Sequence, residues 1–290
     1  MERRFLKTII FISLLITSCQ QIPINESNKK FVDDNTDKQN LEIDLKKQEK
    51  IISYHSDIWS YILTNSSYTS DGLDEQTLMY MNRHLQDLDK FKEFLNDSYY
   101  FIFFVIEELE NAKLPIELAF LPYIESNYDP FSISSSGAVG MWQFMPRTGR
   151  TYDLERSWWN EDRHDPFKST SAAIKYLKYL YERFDQDLYL TLAAYNAGPS
   201  FLDRQIKRNQ RRGLNTDYWS LDLPIQTRNY VPKFIAIKEL IINSDQYDIE
   251  LPFIPYEPVV AKIEIPGQVE ILTLSEYLNI KPELLSLIHI

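Results

Sequence analysis

From about residue 53 onward, apolar residues recur at three- and four-residue spacing, a rhythm that predicts a succession of helices. "SDIWSYIL", "LDEQTLMYMNRHLQDLDKFKEFL" and "YYFIFFVIEELENAKL" carry it first. "STSAAIKYLKYLYERF" (169–184) repeats it, with Ser and Thr as opening caps and a clean apolar stripe. "LYLTLAAYNAG" and "NYVPKFIAIKELIIN" predict two more helices. Strand signals are scarce before residue 250 and no internal repeat is present, so the expected fold class is mainly α.

One apolar run breaks its own rule. In "LAFLPYIESNYDP" (118–130) the residues before Glu125 read as a buried helix face, and the run ends on that carboxylate. An ionised Glu is costly to bury without a partner. Glu125 therefore sits either at a frayed helix end facing water or in a dry pocket where holding a proton is its task. Just upstream, Pro115 fits a first helical position. Glu117 follows in the first turn, where the helix dipole favours negative charge and gives it a structural role.

The two ends differ from the middle. "MERRFLK" is followed by eleven apolar or small residues, "TIIFISLLITS", which at a helical rise span roughly 16 Å, too short to cross a bilayer. This reads as a secretory signal peptide over 1–18. Ile16-Thr17-Ser18-Cys19 resembles a bacterial lipoprotein cleavage box and contains the single cysteine of the chain. One Cys cannot form an internal disulfide, so it is either a free thiol or, as expected here, the site of lipidation. Acyl chains at Cys19 would provide a membrane anchor. Gln20 in place of Asp suggests the periplasmic face of the outer membrane. Residues 19–52 are too polar to fold alone and read as a flexible tether reaching roughly 30 Å r.m.s..

Composition removes some partners. The formal net charge of −11 argues against nucleic acid, which requires clustered Lys and Arg. The one dense basic run, "RNQRRG" (208–213), reads as a solvated loop. The four histidines (His55, His84, His164, His289) have no ligand spacing, so neither metal nor cofactor is expected. Glycine is rare, with seven in the chain. Gly137, Gly140, Gly149 and Gly198 all fall in "SSSGAVGMWQFMPRTG" and "AAYNAGP", which implies positive φ or close backbone approach there, as in the walls of a cleft.

"ESNYDPFSISSSGAVGMWQFMPRTGRTYDL", "AAYNAGP" and "QTRNYVPKF", in that order, resemble the lytic transglycosylases that carry a soluble-transglycosylase, goose-lysozyme-like domain, and most closely their membrane-bound type D branch. The likeness runs from roughly 95 to 245. It implies a lysozyme-like helical catalytic domain over 101–250, preceded by a helical N-terminal segment (53–100). The remainder, 251–290, resembles the opening of a LysM-like wall-binding region. By this resemblance Glu125 is the sole catalytic acid. Ser134, Gln143 and Met145 line the cleft, Tyr195 and Asn196 lie beside the acid, and Tyr230 closes the far side.

The residues read independently leave other roles open. Gln143 could bridge backbone groups, Tyr195 and Asn196 could end a helix before Gly198, and Tyr230 could be ordinary core. Of Trp142, Trp158 and Trp159, at least two are expected to be buried. Asp129 reads as a turn residue and Asp165 as a brace before the next helix. Asp153 stands where relatives often have Gly, and Gln226 where they usually have Glu.

Ordinary glycosidases pair two carboxylates, and here no second one matches a catalytic position of the family. The resemblance implies a different reaction. The 6-hydroxyl of the muramic-acid ring attacks its own carbon 1, with Glu125 acting as acid and then base, to leave a 1,6-anhydro end. Peptidoglycan glycan strands are the implied substrate and a monomer is expected. A goose-type lysozyme and a non-catalytic wall-binding lipoprotein are the rival readings.

Overall fold

The computed structural model describes residues 9–13, 57–66, 73–158, 160–264 and 270–278. Cys19, the tether and most of the expected signal peptide lie outside them. Two compact units are present, residues 57–254 and the remainder. In the smaller unit, β1 (Ile9–Ser13) pairs in parallel with β2 (Val260–Glu264).

The larger unit is helical. It begins with α1 (Ile58–Asn65), α2 (Glu75–Leu85), α3 (Leu88–Asn96) and α4 (Ile102–Ala112). α5 (Leu121–Glu125), α6 (Pro146–Thr151), α7 (Pro166–Arg183), α8 (Leu188–Ala197) and α9 (Pro199–Arg211) follow. α10 (Ile225–Arg228) and α11 (Tyr230–Ile242) complete it, and α12 (Ile271–Leu278) belongs to the smaller unit. The expected N-terminal segment and the domain after it pack as one unit. Its ends are joined by Ile58 N–H donating to Ile254 O (2.8 Å) and the Trp59 indole donating to Pro252 O (2.6 Å). Among the described residues no helix is long and apolar enough to cross a membrane.

α11 is the axis. Val231, Phe234, Ala236, Leu240 and Ile241 are fully buried, and nearly its whole circumference is covered. A helix apolar all round belongs inside a core rather than on its edge. α2, α5, α8, α10 and the 3₁₀ turn Ile116–Phe120 all pack against it. Because α11 begins with Tyr230, this packing sets the position of that phenol.

Several local expectations are corrected. The long apolar pattern after residue 73 is two helices, because Asp87 caps a new one by accepting from Lys90 N–H (3.1 Å). α7 starts earlier than its Ser/Thr residues suggested. Asp165 is the cap, accepting from Phe167 and Lys168 N–H, and Ser169 and Thr170 are buried inside the helix. "RNQRRG" is no loop. Arg208 and Arg211 occupy the last turn of α9, where the helix dipole favours cations, and Gly213 follows at φ 67°. Pro115 precedes a 3₁₀ turn, and Glu117 is buried there and accepts from Ser66 Oγ (2.6 Å). Its first-turn position is as expected, and this bond adds to its structural role.

Two glycines allow a clean test of backbone constraint. Gly137 (φ 84°) has open space where a Cβ would stand, while at Gly140 (φ 82°) a Cβ would lie 1.8 Å from the Arg163 carbonyl oxygen. Gly137→Ala should cost about 1–2 kcal/mol, from conformation alone. Gly140→Ala adds a backbone clash and should cost more than about 4 kcal/mol. Urea unfolding of both variants checks the order, and equal losses would contradict it.

Candidate active site

Glu125 owes its position to a short, sharply ended piece of chain. The expected single helix face over 118–125 is a 3₁₀ turn followed by α5, with Pro122 in the first turn of α5. Leu118, Ala119, Phe120 and Leu121 are fully buried, so this piece is held by packing rather than length. α5 stops at Ser126, and Asn127 (φ 58°) and Tyr128 (φ 61°) then reverse the chain in the left-handed region. That conformation is costly for a ring-bearing residue. The Tyr128 side chain, 1% exposed, compensates by burial and by donating to Ala119 O (2.6 Å). Asp129 accepts from Phe131 N–H (2.8 Å), a turn contact as expected.

The segment after the turn forms one wall. Ser126 Oγ donates to Met141 O (2.8 Å), tying the residue beside the acid to this wall. Val139 bridges to both Ile133 and Phe144, making a tight loop over 133–144. Ser134 Oγ accepts from Ala138 N–H (2.9 Å). Gln143 (φ 50°) donates from Nε2 to Gly140 O (2.9 Å) and Ser132 O (3.3 Å). Ser134 and Gln143 therefore both bond to the loop's own backbone, while Met145 stands exposed at its edge. Arg163, itself buried, donates to Phe144 O (2.8 Å) and Gly137 O (3.1 Å) and is paired with Glu161 (2.7 Å). Trp142 is fully buried with its indole on Thr170 Oγ1 (2.9 Å). Trp158 is exposed, and Trp159 lies outside the described residues.

Two phenols complete the constellation. Tyr230 OH, at the start of α11, donates to Glu125 Oε1. Tyr195 OH donates to Trp142 O (2.8 Å), and its ring lies 5.3 Å from that of Tyr176. Asn196, on the next position of α8, instead accepts from Thr227 Oγ1 (2.9 Å). Both phenols have pKa values pushed well up by desolvation, with the nearby Glu125 charge adding to it. Glu125, Tyr195 and Tyr230 therefore share one desolvated site.

Glu125 is half-buried, but the loss of water around its carboxyl pushes its pKa up to about 7. The Tyr230 hydrogen bond and the Lys233 ammonium oppose that rise. Among the described residues, Lys233 is the charge that acts on it. Lys233 sits one turn after Tyr230, with its Nζ 5.6 Å from the centre of the Tyr80 ring on α2. Sequence reasoning missed Lys233, Ser126 and Arg163. Only Lys233 left a signal, since i and i+3 share a helix face. Among the described residues no group of three or more His, Cys, Asp or Glu could hold a metal ion.

The chain matches the sequence model of the transglycosylase SLT domain over residues 104–217. It is 32% identical over 236 residues to the membrane-bound lytic murein transglycosylase D of Escherichia coli K12, covering 79% of this chain and 50% of that protein. A membrane-bound lytic murein transglycosylase F from Alcanivorax borkumensis is 33% identical over 108 residues, 35% of this chain and 22% of its own. The chain thus spans about half the length, or less, of these curated relatives. A solved lytic transglycosylase Slt from Pseudomonas aeruginosa superposes with a TM-score of 0.41 at 22% identity, over 54% of this chain and 25% of that one. That likeness is too distant to carry any detail of the site.

The raised pKa has a consequence for stability. Between the ordinary 4.5 and about 7, the folded state keeps a proton that the unfolded chain has released. Stability therefore falls as pH rises through that window. Glu125→Gln should remove the fall, gaining at most about 3 kcal/mol on wild type between pH 4 and pH 8. Tyr230→Phe deletes a bond to the charged form and should move the upper edge of the window higher. Denaturant unfolding across pH checks both, and a downward shift for Tyr230→Phe would contradict the assigned contact.

Proposed function

We propose that this chain is a peptidoglycan lytic transglycosylase in which Glu125 acts first as acid and then as base. The observation that supports this reading most is the Glu125 carboxyl itself, held by the Tyr230 hydroxyl and pushed up to a pKa of about 7 by loss of water. An acid poised near the working pH is suited to protonating a leaving oxygen, a contribution of about 10² to 10⁴ in rate. In the proposed reaction Glu125 gives its proton to the glycosidic oxygen between N-acetylmuramic acid and N-acetylglucosamine, and the bond from that oxygen to carbon 1 breaks. The muramic 6-hydroxyl oxygen bonds to the same carbon, and its proton returns to Glu125. Atoms balance without water, and tethering of the 6-hydroxyl supplies several kcal/mol of the barrier reduction. Tyr230 steadies the intervening carboxylate. Tyr195 and the loop bearing Ser134, Gln143 and Met145 form the walls against which the strand lies, and Asn196 braces α8.

A goose-type lysozyme would cleave the same bond with water and needs a base for that water. Two-carboxylate glycosidases hold their second group within roughly 5–9.5 Å of the first. The intramolecular reading needs no such second group, because the substrate's own 6-hydroxyl is the nucleophile. The reading also includes lipidation at Cys19, a tether over 19–52 and residence at the periplasmic face of the outer membrane. A wall-binding role for 251–290 completes it. The relatives' membrane-bound names are consistent with such an anchor.

The test is digestion of peptidoglycan in heavy-oxygen water, followed by mass spectrometry of the new ends. Ends lighter by one water and free of solvent oxygen are expected, and the Glu125→Gln protein, still folded, should yield nearly none. Reducing ends that carry solvent oxygen as the main product would decide for the lysozyme.

A further inference from the structure

Trp219 presents a large indole to solvent, 50% exposed, at a place where nothing yet requires it. Isolated exposed apolar residues are common and need no function. What separates Trp219 is that its plane is fixed. Tyr218 packs edge-on against it at 4.9 Å and 81°, and Tyr189 does so at 6.0 Å and 74°. Tyr218 is itself buried, with its hydroxyl donating to the carbonyls of Thr227 (3.0 Å) and Arg228 (2.7 Å). Asp217 caps the 3₁₀ turn Tyr218–Ser220 through Ser220 N–H (3.0 Å) and Ser220 Oγ (2.8 Å). Trp158 is more exposed still, but among the described residues no ring contact orients it.

This fixed indole is joined to the candidate active site by rigid parts. Tyr189 and Asn196 are seven residues apart on α8, which places them on one face about 10 Å apart. At the near end Tyr189 meets Trp219. At the far end Asn196 bonds Thr227, whose carbonyl accepts from Tyr218, and the adjacent Tyr195 lies in the site of Glu125. One helix and one short hydrogen-bond chain thus hold a planar aromatic surface at a set distance from the acid.

We propose that Trp219 is a stacking platform for a pyranose ring of a glycan strand, extending the binding cleft beyond the sugars at the site of bond cleavage. This rests on the proposed function for its ligand. The C–H-lined face of a pyranose is complementary to the electron-rich indole face, and the indole N–H can donate to a sugar hydroxyl. A platform with a preset plane loses little side-chain freedom on binding. A rigid glycan strand fits this arrangement better than a self-contact, because the platform's position is tied to Asn196 and Tyr195 rather than to a separate apolar patch.

The test uses Glu125→Gln protein, which cannot turn over, and uncross-linked glycan oligomers of two lengths, one short enough to fill only the site at Glu125. Calorimetry gives the affinities. Adding Trp219→Ala should weaken the long oligomer about tenfold and leave the short one unchanged, and Trp219→Phe should fall between. Melting curves verify folding, and the Phe variant serves if the Ala variant melts early. Equal affinity for the long oligomer, or equal losses for both lengths, would overturn the proposal. So would unchanged glycan binding with lost self-association, which would assign the face to a second copy of the chain. Failure of Glu125→Gln to bind either length would refute the proposed substrate instead, a separable result.

Discussion

Everything at the candidate site turns on how much water is kept from one carboxyl. Desolvation pushes the proton on to Glu125, while the Tyr230 hydroxyl and the Lys233 ammonium pull it off. Desolvation outweighs both, and their pull is why the pKa comes to rest at about 7 rather than higher. A fully apolar pocket would hold the proton too tightly to release, and a wet one would never hold it. Tyr230 and Lys233 both come from the first turn of α11, so the opposing pull is built into one element.

The rest of the larger unit can be understood as fixing that balance. α11 is buried along nearly its whole length, so the phenol at its start has little freedom to drift. Facing it, α5 is too short to be stable alone, and it is held by the buried run 118–121 and by Tyr128 locking the turn that follows. The wall over 133–144 is anchored by buried Met141, Trp142 and Phe144 and by the buried Arg163 guanidinium, bonded to two of its carbonyls. Removing that cation would leave Glu161 to the more exposed Arg156 (3.3 Å) and strip both loop carbonyls of their donor.

Much of this was legible in the chain. Helical periodicity identified the helical segments from 58 to 242, and the clustered glycines marked the segments where backbone must turn or approach closely. Gly137, Gly140 and Gly198 all adopt positive φ. Glu125 announced itself as a carboxylate at the end of an apolar run. Less legible were features that depend on tertiary packing. The 3₁₀ turn before α5 reflects burial on all sides, which periodicity cannot distinguish from a continuous helix. Ser169 and Thr170 looked like caps because their types suit caps, but Asp165 takes that role and Thr170 instead receives the Trp142 indole. Arg163 gave no signal, because nothing local tells a buried arginine from a surface one. Lys233 could have been found from its spacing to Tyr230, had the phenol been taken first.

The central claim is that a single carboxyl keeps its proton near neutral pH because the fold excludes water from it. Its most direct test is the carbon-13 chemical shift of the Glu125 carboxyl, assigned by difference against Glu125→Gln and followed from pH 3 to pH 9. The account predicts a midpoint near 7, which moves upward in Tyr230→Phe. A midpoint at the ordinary 4.5 in the intact, folded protein would contradict it.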